Sequence, residues 1–481
     1  MSLSAAMKTA QSSFSNVGLQ TAVASKNIAN ASDTAYARRA AILITAGSGA
    51  TVVETQRAQN EALLKQNLLS ISKSHAQDTL LGGLTRIKMM LGGEDYELAP
   101  ATYLAKLRDN LQTFADKPNE VSLAETVVAD AVDVANSLNA TSIAVQKLRA
   151  EADADIATSV NELNRLLQEF QTYNDKVRVG TAAGNDVNDA LDQRDKLLTQ
   201  ISALVGVSAL KRPNNDLALY TSDGTVLFET VPRSVTFVPT NTYTAAVTGN
   251  QVYIDGVAVQ AGAGGNTSAQ GSIAALLQIR DNVAPTFQNQ LDEIARGIIG
   301  MFSESVETPP ASGTFVDTDG LFVRNGMAAL TDPGLAAVIK VNPAVITAQG
   351  GEPMKLRDGI YINANPANDA SFSVLLNKYS AGFEQTRTFD TDAAIDTSTS
   401  ILAFSTASIG WVEQLRSAAT TASDDKAALL GRTQEALLNV TAVSLDEELA
   451  LLLDLEQSYK ASAKLVAAVD EMIAALLSAA S

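Results

Sequence analysis

The sequence predicts a mainly α-helical protein with β insertions, in which the N- and C-terminal segments form a long coiled-coil shaft. Three observations favour this α+β fold class. Apolar residues with helical spacing occur at both ends of the chain, and the long stretches that contain them have no proline. The alternating apolar pattern of strands occurs only in the middle of the chain. Hydrophobic residues make up 46% of the chain but aromatic residues only 5%, which suits long, closely packed helices rich in Ala and Leu.

The two ends of the chain carry matching apolar stripes. Their members recur at alternating steps of three and four residues, the spacing of a coiled-coil seam rather than of a broad globular face. The N-terminal stripe is Leu3, Met7, Ala10, Phe14, Val17, Thr21, Ala24 and Ile28. The C-terminal stripe is Leu452, Leu455, Tyr459, Ser462, Val466, Val469, Ile473 and Leu476. Because a helix with such a stripe needs a partner, we expect each end to pair with the other or with a neighbouring subunit.

Proline placement divides the interior. No proline occurs before Pro100, between Pro118 and Pro213, or after Pro366, and a proline in a helix interior costs about 3 kcal/mol. The three proline-free stretches can therefore hold long helices. Ser122 and Glu125 form a capping-box pattern that predicts the start of the second one.

A further helix is predicted from about Gly271 to Phe302, with five apolar residues on one face.

Between the helices, apolar residues recur at every second position. Residues 217–228 predict a hairpin, and 252–259 predict another with Asp255-Gly256 as its two-residue turn. Residues 261–270 are rich in Gly, Ala and Ser and predict a loop. Further on, 337–341 predicts a short strand.

This order predicts nested domains, each built from segments on both sides of the one that it encloses. The expected division is a terminal coiled-coil assembly domain (1–40 and 441–481), a helical shaft domain (41–205, 271–308 and 400–440), a β-hairpin region of the shaft (206–270) and a strand-rich outer domain (309–399).

Composition limits the possible partners. The formal net charge is −18, which argues against nucleic acid and anionic membranes, since both attract clustered Lys and Arg. The chain contains no run of about 18 apolar residues, so no membrane span is predicted. The N-terminus lacks the pattern of a cleaved Sec signal. The chain has no cysteine, so disulfides, thiolate metal sites and cysteine nucleophiles are excluded.

The sequence offers no catalytic motif. Its one histidine, His75, lies in a polar helical stretch and is interpreted as solvated. The acidic residues Asp186, Asp189, Asp192 and Asp195 recur every three positions, and we interpret them as a solvated helix face. We therefore predict that the chain is not an enzyme and has no cofactor or metal site.

Several segments resemble one family. Residues 27–32 (Asn-Ile-Ala-Asn-Ala-Ser), followed by Tyr36, Ala37 and Arg38, resemble the N-terminal motif of the bacterial flagellar rod, hook and hook-associated proteins. Residues 445–477 resemble the C-terminal motif of that family. The segments 190–198 and 271–281 resemble its hook-associated members at the junction between hook and filament. The family usually has Gly where this chain has Ala35, so the turn before Tyr36 is expected either to be built differently or not to need a left-handed residue.

The resemblance implies a structural adaptor that joins hook to filament. It implies export through the flagellar type III apparatus without a cleaved signal, an extracellular location, and self-assembly into a ring. Implied partners are hook protein, the second junction protein or flagellin, and an export chaperone that binds the C-terminal region. Two alternatives stay open: a second junction protein or divergent flagellin, and a shaft that carries an adhesin or enzyme domain.

The residues expected to mediate assembly come from the two stripes and the N-terminal motif. For Asn27 and Asn30 a plain helix cap is as good an interpretation as an intersubunit contact. The full set is Leu3, Met7, Phe14, Val17, Asn27, Ile28, Asn30, Tyr36, Arg38, Leu452, Leu455, Tyr459, Val466, Val469, Ile473 and Leu476.

Overall fold

The computed structural model describes residues 3–46, 49–240, 242–308, 310, 312–327 and 329–480, and the side chains of 3, 45–46, 49–53 and 480 lie outside that description. The predicted fold class, mainly α with β insertions, is confirmed. The helices are α1 (Leu3–Ala29), α2 (Glu61–Met90), α3 (Pro100–Asp116), α4 (Val121–Ala182), α5 (Asn188–Leu204), α6 (Ser272–Gln278), α7 (Ala284–Met301), α8 (Leu335–Val338), α9 (Lys355–Asp358), α10 (Val374–Gly382), α11 (Ile401–Thr441) and α12 (Leu445–Ala480).

The strands are short and pair in small antiparallel sheets. They are β1 (Arg39–Ala46), β2 (Gly49–Arg57), β3 (Val207–Lys211), β4 (Leu217–Thr221), β5 (Val226–Phe228), β6 (Val235–Thr236), β7 (Tyr253–Ile254), β8 (Val257–Ala258), β9 (Glu304–Glu307), β10 (Phe315–Thr318), β11 (Phe322–Arg324), β12 (Ile339–Val341), β13 (Arg387–Thr388) and β14 (Ser398–Thr399). The sheet orders are β1-β2, β3-β4-β5, β6-β7-β8, β10-β9, β11-β12 and β13-β14.

The helices α2–α7 and α11 form one bundle. From here on, the name shaft means this bundle, without the terminal helices α1 and α12. The 62-residue helix α4 is its spine, and α2 packs along α11 and α5. Buried aromatic residues mark the core along its length, among them Phe114, Phe170, Phe287 and Phe404. These residues belong to one continuous hydrophobic core that runs through the bundle.

The start of α4 differs from the prediction. The helix begins at Val121, and Glu120 occupies the capping position with no side-chain cap bond. Ser122 lies inside the first turn instead, and its carbonyl accepts a hydrogen bond from the Thr126 hydroxyl. The capping-box prediction is wrong because the turn after Pro118 starts the helix earlier: the Glu120 N–H bonds to the Lys117 carbonyl.

The helix predicted from 271 to 302 is confirmed, with a π-helical turn at Ile279–Val283 between α6 and α7. Pro285 follows directly, and a wider turn accommodates a residue that has no N–H to donate. The Arg280 carbonyl in that turn accepts a hydrogen bond from buried Arg149 at 3.1 Å. The local disruption is therefore used to hold α4.

Both predicted hairpins are confirmed. β4 pairs with β5, and in the second hairpin Ile254 of β7 faces Val257 of β8. Asp255 and Gly256 both have positive φ, 50° and 80°, as a type I′ turn requires.

Three predictions about strands are corrected. The β1-β2 hairpin lies in a range predicted to be helical. The predicted strand 337–341 begins as helix α8, because the Asp292 carboxylate accepts hydrogen bonds from the Gly334 and Ala336 N–H groups and so caps that helix. The segment predicted as a strand-rich outer domain contains more helix and turn than strand, since its frequent Gly, Pro and Asn residues stop each strand after two to four residues.

Candidate functional site at the base of the terminal helices

The two terminal helices pack against each other in antiparallel orientation. The hydroxyls of Ser13 and Ser462 lie 2.6 Å apart, and the rings of Phe14 and Tyr459 meet edge to face at 5.0 Å. Buried positions recur every seven residues on both helices: Ala10, Val17 and Ala24 on α1, and Leu455, Ser462 and Val469 on α12. Within a single chain, each terminus therefore supplies a partner for the stripe of the other.

This pairing covers only part of the predicted stripes. Val17, Leu455 and Val469 are buried, while Phe14, Ile28, Leu452 and Val466 are half-buried. Met7, Tyr459, Ile473 and Leu476 stay exposed at 40%, 53%, 38% and 60%, and the side chain of Leu3 lies outside the described residues. Exposed apolar surface along one helix is typical of a site that binds another protein.

Asn27 holds the chain where it returns from α1 toward the shaft. Its side chain is fully buried, and its amide donates to the Arg39 carbonyl at 2.8 Å. Its side-chain oxygen accepts from the Arg39 N–H and from the Tyr36 hydroxyl, at 3.0 and 2.8 Å. Asn27 is therefore neither a helix cap nor an exposed contact, because every bond fixes the loop onto α1. Asn30, by contrast, is a C-cap: its amide donates to the Lys26 carbonyl.

The turn before Tyr36 does not need a left-handed residue. Ala35 is not among the described residues with positive φ. Instead, the Asp33 carboxylate accepts a hydrogen bond from the Ala35 N–H at 2.9 Å, which is a local Asx turn. The alanine at this position is thus compatible with the turn.

Tyr36 is buried beside the guanidinium of Arg39, whose carbon lies 4.7 Å from the ring centroid. Burial raises the pKa of the Tyr36 phenol to about 12. The hydroxyl therefore stays protonated and can donate to Asn27 over the whole physiological pH range.

Two arginines of the β1-β2 hairpin bind a row of aspartates on α5. Arg39 reaches Asp189 and Asp192 at 2.5 and 2.9 Å, and Arg57 reaches Asp192 and Asp195 at 2.6 Å each. Asp192 is buried between the two guanidinium groups. The interpretation of these aspartates as a solvated face is therefore wrong for Asp189, Asp192 and Asp195, because the hairpin folds over them.

The pKa values of Asp189 and Asp192 are shifted in opposite directions. Burial raises the pKa of Asp192 above its ordinary value, although Arg57 and Arg39 act against that shift. At Asp189 burial also disfavours the charge, but the hydrogen bonds from Lys26 and Arg39 outweigh it and lower the pKa. Burial favours the uncharged form, whereas close cations favour the carboxylate.

A second link comes from the C-terminal side. The Arg38 side chain bonds to Glu448 of α12 at 2.7 Å, and that carboxylate has no exposed surface. The Arg38 N–H also donates to the carbonyl of Thr441, the last residue of α11, at 2.7 Å. Arg38 therefore ties the N-terminal motif to both long C-terminal helices.

We call this set of residues the joint. It connects the terminal helix pair, the β1-β2 hairpin and the shaft helix α5, and its four cations face four carboxylates. Its members are Lys26, Asn27, Tyr36, Arg38, Arg39, Arg57, Asp189, Asp192, Asp195 and Glu448. These ion pairs attach the ends of α1 and α12 that lie nearest the shaft to α5 and to the hairpin.

Sequence reasoning found Asn27, Tyr36 and Arg38 but missed Arg39, Arg57 and the aspartates as one site. The only sequence signal of this site was the row of three aspartates, spaced three residues apart on one helix. Without the hairpin, no pattern in the chain indicated which cations lay opposite them.

The chemistry of the joint is structural. Within the described ranges, no group of three or more His, Cys, Asp or Glu residues could hold a metal ion. Among the same residues, no helix is long and apolar enough to cross a membrane. His75 is exposed on α2, as its interpretation as a solvated residue predicted.

Comparisons with known proteins find matches to flagellar proteins. The family model described as the flagellar hook-associated protein FlgK helical domain matches residues 84–307, which lie mostly in the shaft. The model described as the flagellar basal body rod FlgEFG protein C-terminal matches residues 434–479, which cover the end of α11 and nearly all of α12.

Curated relatives carry the same description. Flagellar hook-associated protein 1 of Bacillus subtilis is 24% identical over 97% of this chain and 96% of its own length. Flagellar hook-associated protein 1 of Escherichia coli is 22% identical over 60% of this chain, and the match spans about half of that relative, 54%. A solved structure, the flagellar hook junction protein FlgK from Burkholderia pseudomallei, aligns with a TM-score of 0.43 at 19% identity, over 54% of this chain and 47% of that one.

These matches place the chain among the structural proteins of the bacterial flagellum. Within that class, the model of its helical region and its curated relatives are those of flagellar hook-associated protein 1. The resemblance inferred from residues 27–38 and from the C-terminal motif is thereby confirmed, and so is the prediction that the chain is not an enzyme, since the family is a structural one.

Proposed function

We propose that this chain is the self-assembling adaptor that joins the flagellar hook to the filament. The observation that carries the proposal is the half-covered pair of terminal helices, held on the shaft by the joint. The name of the curated relatives, flagellar hook-associated protein 1, supports the same place in the flagellum.

Assembly completes the burial that the single chain leaves unfinished. Leu476 and Leu477 near the end of α12 are 60% and 67% exposed, and Met472 is 49% exposed. Burying one such side chain fully contributes about 1.5–3 kcal/mol. Neighbouring copies packed around the terminal pair would bury this surface, and the joint would give every copy the same orientation in a ring.

The finer points of the proposal concern partners and location. The ring would contact hook protein on one side, and the second junction protein or flagellin on the other. Export through the flagellar type III apparatus would deliver the chain to the outside, with a chaperone bound to the C-terminal region. An apolar helix face that is exposed before assembly needs such cover.

The domain division is also proposed. Residues 309–399 would form an outward-facing domain, while 1–40 and 441–481 would line the axis. The described contacts of the outer segment are with the shaft, through α10 on α3 and through α8 on α4 and α7.

The test is a charge placed on the exposed apolar face. We expect Leu476→Asp to abolish filament growth on hooks, because a charge in a desolvated helix interface costs several kcal/mol. The side chain is exposed in the single chain, so secretion and folding should persist.

Val374→Asp on α10 is the matched control, since Val374 is 69% exposed but belongs to the outer segment. Electron microscopy of hooks and filaments, with immunoblots of the secreted fraction, gives the readout. Full filaments on Leu476→Asp cells would contradict the proposed role of the terminal pair.

A further inference from the structure

A groove of about 930 Å³ opens beside the joint. It lies between α2, α5 and the end of α11, next to the loop 33–37. Half-buried leucines line it, namely Leu64, Leu430, Leu437 and Leu438. It is thus an apolar surface on the shaft with room for side chains from another helix.

The rim of this groove is positive in an acidic chain. Lys65 and Lys196 are exposed there and form no ion pair among the described residues. Of the three carboxylates that line the groove, Glu61 pairs with Lys211 and Asp195 pairs with Arg57. The third, Asp33, accepts a hydrogen bond from the Ala35 N–H. A chain with net charge −18 therefore presents two unpaired lysines beside an apolar groove.

A complementary surface lies on the first turns of α12. Leu445, Leu449 and Leu453 recur every four residues and are 48%, 52% and 62% exposed. We call these three residues the leucine stripe. It lies beside the seam that α12 buries on α1, where Leu455 is only 6% exposed.

Acidic residues flank the leucine stripe. Asp446, Glu447 and Asp454 are exposed, and none of them has an ion-pair partner in the described part of the chain. The stripe spans eight residue steps, about 12 Å of helix. Its charge is opposite to that of the groove rim, and its leucines match the apolar groove walls.

We propose that the leucine stripe of one copy binds in the groove of a neighbouring copy of this chain. The stripe and the groove are both open to solvent within one chain, so neither serves as the partner of the other in the same copy. A contact between two different patches is heterologous, and repetition of such a contact generates a ring or a helical array. This inference rests on the proposed assembly function, for which it names one contact between copies.

The absence of cysteine from the chain allows a direct cross-linking test. One protein would carry Leu449→Cys and the other Ala203→Cys, which lies in the groove wall. Each has a single thiol, so a covalent product from the mixture joins two copies. After co-assembly and treatment with a short bis-maleimide, we expect about tenfold more heterodimer than in a control mixture. In the control, Val231→Cys replaces Ala203→Cys, because Val231 is 53% exposed and lies outside the groove. Equal yields would overturn the proposal.

Charge reversal gives an independent test. Lys65→Glu with Lys196→Glu should raise the concentration at which the purified chain self-associates by about tenfold. Adding Asp446→Lys and Glu447→Lys in the same chain should restore association, since opposite charges again face each other. Circular dichroism confirms that each variant folds, and sedimentation velocity measures association.

The outcomes separate this inference from the proposed function. Absence of rescue, or unchanged association of the lysine variant, would overturn the stripe-and-groove contact while the adaptor function stands. If the lysine variant associates normally but fails to support filaments on hooks, the groove binds a different axial protein and the inference is overturned. If a strain that lacks this chain grows full filaments, the adaptor function itself fails.

Discussion

The shaft and the terminal helix pair are both helical, but they differ in how their apolar residues are covered. In the shaft, α4 is surrounded by other elements, and Leu163, Leu167 and Phe170 have no exposed surface. In the terminal pair, the buried apolar positions recur only every seventh residue, and Leu476 remains 60% exposed. The shaft thus has a continuous core of its own, whereas in the terminal pair much of the apolar stripe stays exposed and available to neighbouring subunits.

This difference predicts where a core substitution has its largest effect. Phe170→Ala should destabilise the shaft by about 3–5 kcal/mol, because it removes a buried ring and leaves a cavity. The ring also meets Phe228 edge to face at 5.0 Å. Chemical denaturation monitored by circular dichroism measures the loss. A loss below 1 kcal/mol would show that the shaft core relaxes around the cavity.

The joint should show the next largest effect, since it connects the two regions. Asp192→Ala leaves Arg39 and Arg57 without their shared carboxylate, and removing one partner of a buried ion pair costs about 3 kcal/mol. We expect faster hydrogen exchange in β1, β2 and the end of α1, while the middle of α4 keeps its protection. Asp155→Ala, on an exposed position of α4, is the control. Loss of protection throughout α4 would mean that the joint and the shaft unfold as one unit.

A seam substitution should have a smaller, local effect. Leu455→Ala removes a side chain that is 6% exposed between two helices, and a partly open site can relax, so we expect about 1–2 kcal/mol. Hydrogen exchange of the monomer should accelerate in α1 and α12 only. An equal acceleration of exchange in the shaft would mean that the shaft and the terminal pair do not differ in stability as their burial predicts.

The smallest effect concerns Asp189, at the exposed edge of the joint. Its pKa is lowered in the folded chain, so its charge contributes stability above the unfolded pKa of about 3.9, and this contribution is lost as the pH falls through the folded pKa. Its side chain is 74% exposed, so the contribution should stay below about 1 kcal/mol. The free energies of unfolding of Asp189→Asn and of the unchanged chain, measured from pH 7 to pH 2, should therefore converge as the pH falls below about 3.9. A constant difference across that range would assign the effect to packing instead of charge.

Much of the fold could be predicted from local sequence patterns. Apolar spacing and proline placement predicted the long helices, because helix periodicity and the cost of interior proline act within a few residues. The Asp255-Gly256 turn was equally readable, since positive φ at both positions favours those residue types. The Ser122 cap and the strand at 337–338 failed because a neighbouring turn in one case and Asp292 in the other decided the local structure.

The sequence by itself determined that both ends of the chain are helices with seams, that the middle is interrupted by short hairpins, and that the family is a flagellar one. Only the tertiary structure decided that the two seams meet antiparallel within one chain and that Asp192 is buried between Arg39 and Arg57. The physical reason is range: helix and turn preferences act over three or four neighbours, whereas an ion pair between residues 39 and 192 depends on where the whole fold brings two distant segments together.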